Sequence, residues 1–383
     1  MSVQFRMGPT DHKVVEQFLG RGSSRATSAV TLDAKAFRHQ EGAAEAAKEA
    51  GSNVFYETAT ERLASPGYGL EKYPMFVAQP YLIDRLASSL TDRAELVERV
   101  LHVHPDYVTH ATAPHFYVDS ERVARLNVDL AEMTRLQTTL PVRAVLTVAN
   151  RFAHRYADQL AAEYVRAGVL DLELRLSPFG GDDESVKKIR DGFAAAQKFT
   201  DAGLTVTLGQ SGNLGQVAVA LGHVNSYSVG VGMLERVDHS SVVNRQKQPP
   251  RERAEDDAGG GPTAGIYLQG ISSTLPRKYV ERLLNHTDLR TRVGCRIGKC
   301  ATSVQGPLLD RRDHYLHARD AEMDTLQRHP AGWRPTSETQ RLQQVLALRQ
   351  RINDHYLDRD MAKLKVRTIE SLITDIDQAR QAS

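Results

Sequence analysis

The sequence predicts an α/β protein, a (β/α)8 barrel of the TIM type with a helical C-terminal extension. Two observations carry this expectation. Short β-rich runs alternate with longer segments of helical periodicity from about residue 27 to 290, and eight such units in sequence match a parallel sheet wrapped by helices. No G-x-G-x-x-G follows the first run, which argues against an open dinucleotide-binding sheet.

The first run is "SAVTLDA" (28–34), followed by the helical "EGAAEAAKEAG" (41–51), and "NVFYETA" (53–59) is the second. The strand-like "MFVAQ" (75–79) falls in a long connection. Apolar residues recur at helical spacing in "YLIDRLASSLTDRAELVERVLHVH" (81–104). "DYVTHAT" (106–112) is the third strand, and a helix over 119–137 follows. Asp119 or Ser120 can cap that helix, since either side chain accepts from first-turn amides. Then come "VRAVLTVAN" (142–150), a helix over 153–168, "LDLELRLS" (170–177), a helix over 183–203, "LTVTLGQ" (204–210), the helix of "LGQVAVALG" (214–222) and "NSYSVGVG" (225–232). "AGIYLQG" (264–270) with the helix "PRKYVERLLNH" (276–286) completes the set.

This divides the chain into an N-terminal segment (1–26), the barrel (27–290), a Cys/His-bearing segment (291–336) and an amphipathic helical extension (337–383). Ile369, Leu372, Ile373 and Ile376 share one face of the extension, which must pack on the barrel or on another subunit, in a homo-oligomer or with a partner. Within the barrel, residues 245–263, "RQKQPPRERAEDDAGGGPT", are charged and Pro/Gly-rich and form a polar excursion after the seventh strand.

Lys and Arg number 49 against 47 Asp and Glu, a net charge of +2, which excludes a surface that is one polyanion-binding field. Two cysteines are too few for a disulfide-stapled secreted domain. "MSVQFRMGPTDHKVVEQF" lacks a signal-peptide pattern, and no apolar run is long enough to span a bilayer. A cytoplasmic chain without a membrane partner is the expectation.

In a barrel, chemistry gathers at the C-terminal ends of the strands. The residues at those exits are Asp33, Glu57, Gln79, His110 with His115, Asn150, Arg175 with Ser177, Gln210 with Ser211, and Gln269. Asp33 and Glu57 can supply acid, base or nucleophile, and His110 can shuttle protons. Arg175, Ser177 and Asn150 can bind a polar or anionic substrate. In "TLGQSGNLGQVAVALG", Gln210, Ser211 and Gly212 open a helix whose first turn carries no acid, so bare amides and the helix dipole offer an anion cradle. The plain alternative is a tight strand-to-helix turn made by glycines. In "LRLSPFGGDDES" the acids that follow the glycines oppose a phosphate, and a turn is favoured.

Cys295, Cys300, His314 and His317 are spaced C-x4-C-x13-H-x2-H. Thiolate sulfur and imidazole nitrogen are zinc ligands, and the two histidines share a helix face at i, i+3. Otherwise the cysteines are small core residues and the histidines surface ones. The order barrel, Cys cluster, then the helix "HYLHARDAEM" resembles the zinc-bearing end of the tRNA-guanine transglycosylases, a (β/α)8 family that exchanges a nucleobase by way of an aspartate nucleophile. The glycine-bearing turn at 209–215 is similar to one late in that family's barrel. In that family three cysteines and a histidine hold the zinc; here Cys295 and Cys300 stand with His314 or His317. "NSYSVGVGM" has no aspartate where the resemblance would put one.

The functional expectation is an enzyme acting by group transfer or hydrolysis on a polar, nucleotide- or nucleobase-containing substrate. The alternative is a non-catalytic barrel scaffold or nucleic-acid-binding subunit that assembles through its C-terminal helices. Because the Cys/His stretch stands where the barrel ends, a metal there is expected to clamp the extension rather than to catalyse.

Overall fold

Eight parallel strands stand around a nearly closed barrel in chain order. They are β1 (Ser2–Arg6), β2 (Thr27–Leu32), β3 (Asn53–Tyr56), β4 (Ala111–Thr112), β5 (Val142–Ala149), β6 (Asp171–Ser177), β7 (Thr205–Leu208) and β8 (Ser226–Gly230). The computed structural model describes residues 1–22, 24–78, 80–232, 235–249, 265–303 and 305–382. β1 lies between β2 and β8 and pairs with both. The seam between β3 and β4 is bridged by Thr109, whose amide donates to the Val54 carbonyl at 3.0 Å and whose Oγ1 accepts from the Val54 amide at 2.8 Å.

The first barrel strand therefore comes from the segment 1–26, which the sequence had set outside the repeat. "SVQFR" is short, and Gln4 and Arg6 alternate with Val3 and Phe5, so it shows little apolar content. The helices around the barrel are α1 (His12–Gly20), α2 (Glu41–Glu49), α3 (Leu90–Val103), α4 (Glu121–Gln137), α5 (Asn150–Arg166), α6 (Val186–Asp201), α7 (Gly212–Ala220) and α8 (Arg311–Arg328). α8 fills the last place. Its Tyr315, Leu316 and Met323 are fully buried in the core that also holds Val3 and Phe5, so the eighth helix belongs to the Cys/His-bearing segment.

"AGIYLQG", expected as the eighth strand, is half of a hairpin outside the barrel. Ile266–Leu268 pairs antiparallel with Ser273–Leu275, and Ile266 and Leu268 pack with Val280, Leu283, Leu289 and Ile352 in a separate core. With β1 already paired to β8, no place in the ring remains for it. Residues 75–78 of "MFVAQ" form no strand, and Met75 belongs to a satellite core beside α3 and α4.

Beyond α8 lie α9 (Arg334–His355) and α10 (Arg367–Ala382). Leu372, Ile373 and Ile376 are buried in the main core, so the apolar face of the extension is covered by the chain's own barrel. Most of the polar excursion, 250–263, lies outside the described residues. Its first part is anchored: Gln246 Nε2 donates to the carbonyls of Arg62 and Ser65 at 2.8 and 3.0 Å. Among the described residues, no helix is long and apolar enough to cross a membrane.

Alternation along the strands sorts the side chains. On β6, Leu172, Leu174 and Leu176 are fully buried toward the helices, each contributing about 1.5–3 kcal/mol by leaving water. Asp171, Glu173 and Arg175 take the other face, and β1, β5, β7 and β8 follow the same rule. The inside of this barrel is therefore polar, where branched aliphatic layers are usual.

Candidate functional site

Two polar layers fill the barrel. In the lower one, at the strands' N-terminal ends, Arg143 is the hub: it donates to Asp171 at 3.1 and 3.0 Å, to Gln4 Oε1 at 2.7 Å and to Thr207 Oγ1 at 3.3 Å. Gln4 Nε2 in turn donates to Thr207 and Ser226, both at 3.1 Å. The Arg143 guanidinium also lies 3.5 Å from the centre of the Phe55 ring, a cation–π contact.

In the upper layer, at the C-terminal mouth, Arg6 from the end of β1 and Arg175 from β6 stand between two carboxylates. Arg175 reaches Glu57 at 2.8 Å and Glu173 at 2.9 Å; Arg6 pairs with Glu57 and lies 3.3 Å from Glu173. Burial works against these negative charges, but Arg175 and then Arg6 outweigh it. They hold the Glu57 carboxyl well below the usual range and that of Glu173 at about 2. Ser228 Oγ also donates to Glu173 at 2.9 Å. Gly209 makes room for the pair: a Cβ there would lie 2.6 Å from Arg175 Cγ and 2.9 Å from Glu173 Oε1.

One turn past Glu57, the loop after β3 returns Glu61 to the same place. Thr60 fixes this loop, its hydroxyl donating to the His115 carbonyl at 2.7 Å and accepting from the His115 amide at 2.8 Å. His115 Nε2 then lies 3.0 Å from Glu61 Oε2, although neither atom has a partner in hydrogen-bonding geometry among the described residues. Burial opposes the Glu61 charge, yet His115 more than offsets it and holds the carboxyl at about 2. Glu57, Glu61 and His115 together offer ligand atoms within 4.8 Å of one another. At the rim, His239 stacks on Tyr117, with ring centres 4.1 Å apart and planes 11° from parallel, and its amide donates to Ser177 Oγ at 2.9 Å.

Of the residues singled out in the sequence, Glu57, Arg175, Ser177 and His115 thus meet at one mouth. Asn150 heads α5, and its buried Oδ1 has no partner among the described residues. Asp33 is occupied locally: its Oδ1 accepts from the amides of Lys35 and Ala36 at 2.9 and 3.0 Å and closes a turn. His110 precedes β4 and belongs to the lower end, where its ring packs on Phe55 at 5.0 Å and Nδ1 lies 2.9 Å from Thr109 Oγ1. It is therefore at the wrong end of the strand for the role expected of it. The glycine-bearing turn after β7 is spent on structure. The Gln210 amide donates to Ser228 Oγ at 3.1 Å, and the Ser211 hydroxyl donates back to Leu208 at 2.9 Å. At Gly212, with φ of 53°, a Cβ would lie 2.8 Å from Glu235 Cβ, so an acidic side chain stands where an anion was expected. Gln269 donates to the Ala318 carbonyl at 3.0 Å within the hairpin region, away from the ring of strand exits, and Gln79 lies outside the described residues.

The Cys/His residues form a second, separate cluster. Cys295 Sγ is 3.3 Å from His317 Nε2, and Cys300 Sγ is 3.6 Å from His314 Nδ1. All four ligand atoms lie within 4.8 Å of one another, and all four residues are buried. Sulfur and nitrogen ligands of a tetrahedral zinc stand about 3.6 Å apart, given usual bond lengths. The remaining imidazole nitrogens are supported as metal ligands require: His314 Nε2 is 2.7 Å from the Tyr267 carbonyl, and His317 Nδ1 lies 3.8 Å from Asp313, which Arg21 holds at 2.8 Å. These donors fit a zinc ion. They also join α8, the hairpin and the end of α1, as a structural clamp would.

Neither a protein-family model nor a curated protein matches the chain. A solved structure assigned to a fructose-1,6-biphosphate aldolase from Coccidioides immitis is similar, at 9% identity over 85% of this chain and 88% of that chain, with a TM-score of 0.37. The barrel architecture rests on the strand pairing itself.

Proposed function

We propose that the chain is a barrel enzyme that acts at its C-terminal mouth, by group transfer or hydrolysis, on a polar substrate containing a nucleotide or nucleobase. The observation that carries this reading is the convergence of Glu57, Glu61 and His115 in one cluster, buried at Glu57 and His115, with polar atoms left unpartnered among the described residues. Perturbed ionisable groups gathered at the C-terminal face of a barrel are the usual material of its active site. Glu57, held ionised and fixed in place by two guanidinium groups, presents its carboxylate at this centre. Glu61 and His115 stand beside it as the further polar groups of the reacting centre. Asp33 and His110 take no part.

The nucleobase element of the reading rests on the likeness of the Cys/His end to the tRNA-guanine transglycosylases. The stacked Tyr117–His239 pair supports it by offering planar faces at the rim. Zinc in the Cys/His cluster would supply folding energy and hold α8 in place, with no part in the reaction.

A thermal-shift screen of nucleobases, nucleosides, nucleotides and oligonucleotides against the wild type, Glu61→Gln and His115→Gln tests the proposal. At least one base-containing compound is expected to raise the melting temperature of the wild type and of neither variant. Absence of any shift in the wild type, or equal shifts in all three proteins, would overturn it.

A further inference from the structure

We infer that Glu57, Glu61 and His115 form a binding site for one divalent cation at the barrel mouth, distinct from the Cys/His clamp. This deepens the reading above and rests on it, since the ion would lie at the proposed reacting centre.

Geometry is the first support. His115 Nε2 and Glu61 Oε2 are 3.0 Å apart, yet neither points at the other in hydrogen-bonding geometry. Two ligand atoms each about 2.1 Å from a shared ion, at a right angle to one another, stand about 3.0 Å apart. The pair is therefore spaced like neighbouring ligands whose common partner lies to one side. Glu57 completes the set within the same 4.8 Å span. Its Oε2 is taken by Arg6 and Arg175, whereas among the described residues Oε1 accepts only the Ala59 amide, at 3.2 Å, which leaves a lone pair for an ion.

The orientation of the His115 ring is the second support. His115 Nδ1 lies 3.5 Å from the Ala113 carbonyl and 3.4 Å from Thr58 Oγ1. Nδ1 therefore faces protein groups, and Nε2 is the ring nitrogen turned toward Glu61. His115 is 1% exposed, so bulk water does not fill the place beside that nitrogen.

Charge is the third. Arg6 and Arg175 balance Glu57 and Glu173 one for one, and among the described residues Glu61 has no guanidinium or ammonium group within ion-pair distance. One imidazole nitrogen and two carboxylate oxygens suit manganese, iron or zinc, whereas the clamp's thiolates favour zinc. A cation with three protein ligands keeps open positions for water or a substrate oxygen, which it polarises.

The test is Mn2+ binding to the full-length protein, supplied with one equivalent of Zn2+ to occupy the clamp, read by electron paramagnetic resonance. Mn2+ prefers oxygen and nitrogen donors to thiolates, so the clamp does not compete for it. The wild type is expected to bind one Mn2+, and Glu61→Gln and His115→Gln to weaken binding at least tenfold; Asp33→Asn should bind as the wild type does. A coupling from one imidazole nitrogen in the wild-type pulsed spectrum provides a measure that needs no variant. No Mn2+ bound at millimolar concentration, no nitrogen coupling, or unchanged affinity in a folded Glu61→Gln would each overturn the inference. If Mn2+ fails to bind while the base-containing compounds still shift the wild type alone, only the cation site falls. If Mn2+ binds and no such compound does, the substrate reading falls instead.

Discussion

The two polar layers inside the barrel use the same kinds of residue and end differently. In the lower layer Arg143, Asp171, Gln4, Thr207 and Ser226 bond one another, and beside Arg143 the small hydroxyl of Thr112 is buried without a partner among the described residues. In the upper layer Arg6 Nε, Arg175 Nε, Glu61 Oε2 and His115 Nε2 are buried without a hydrogen-bond partner among the described residues. Each such group costs about 1–3 kcal/mol, and buried polar atoms are otherwise nearly always paired. A nearly saturated layer is explained by stability. One that leaves several charged and imidazole atoms unpartnered, at the mouth where barrels hold their substrates, is the layer that something else completes.

That contrast can be broken at either layer. The largest effect is expected from Glu173→Gln, which leaves two buried guanidinium groups with one carboxylate between them. A loss of about 3–5 kcal/mol in urea unfolding is predicted. The same carboxylate gives a pH signature. Its folded value of about 2 lies below the ordinary 4.5, so its contribution is fully present above 4.5 and is lost as pH falls toward 2. Wild-type stability should drop across that window by of order 3 kcal/mol more than that of Glu173→Gln.

Arg143→Leu comes next, at about 2–3 kcal/mol, because Asp171 keeps some contact with water once its partner is gone. Its binding of base-containing compounds should be unchanged; a variant that keeps its stability and loses binding would reverse the roles assigned to the two layers. For the clamp, metal analysis should find about one zinc per chain, and Cys300→Ser should fall close to none. The smallest effect is expected from Asp33→Asn, within about 1 kcal/mol in unfolding and with no change in binding, since its carboxylate serves only a local turn.

The barrel was legible in the sequence because seven of its strands stand in a strand–helix alternation that tolerates errors of register. β1 was not, because Gln4 and Arg6 face a polar interior and leave "SVQFR" with two apolar residues, Val3 and Phe5, both turned toward the helices. "AGIYLQG" took its place because apolar content alone cannot tell a barrel strand from a hairpin strand in a neighbouring core. Glu57, Arg175 and Ser177 could be found as strand exits. Glu61 could not, since it arrives from a loop turn. Nor could Glu173, which lies inside a strand. The signal for Glu173 was present in "LDLELRLS": acids and an arginine at alternate positions of a central strand require a polar interior with charges of both signs. The spacing of Cys295, Cys300, His314 and His317 was ambiguous because the long gap conceals the fold-back at Gly306–Leu308.

His110 and Glu61 allow the most direct test of the claim that the upper layer is the reacting centre. The sequence favours the first and the geometry the second. Titrating the best base-containing compound from the screen into Glu61→Gln and His110→Gln should show at least a tenfold loss of affinity in the former and wild-type affinity in the latter. Wild-type affinity in a folded Glu61→Gln, with loss in His110→Gln, would contradict the account.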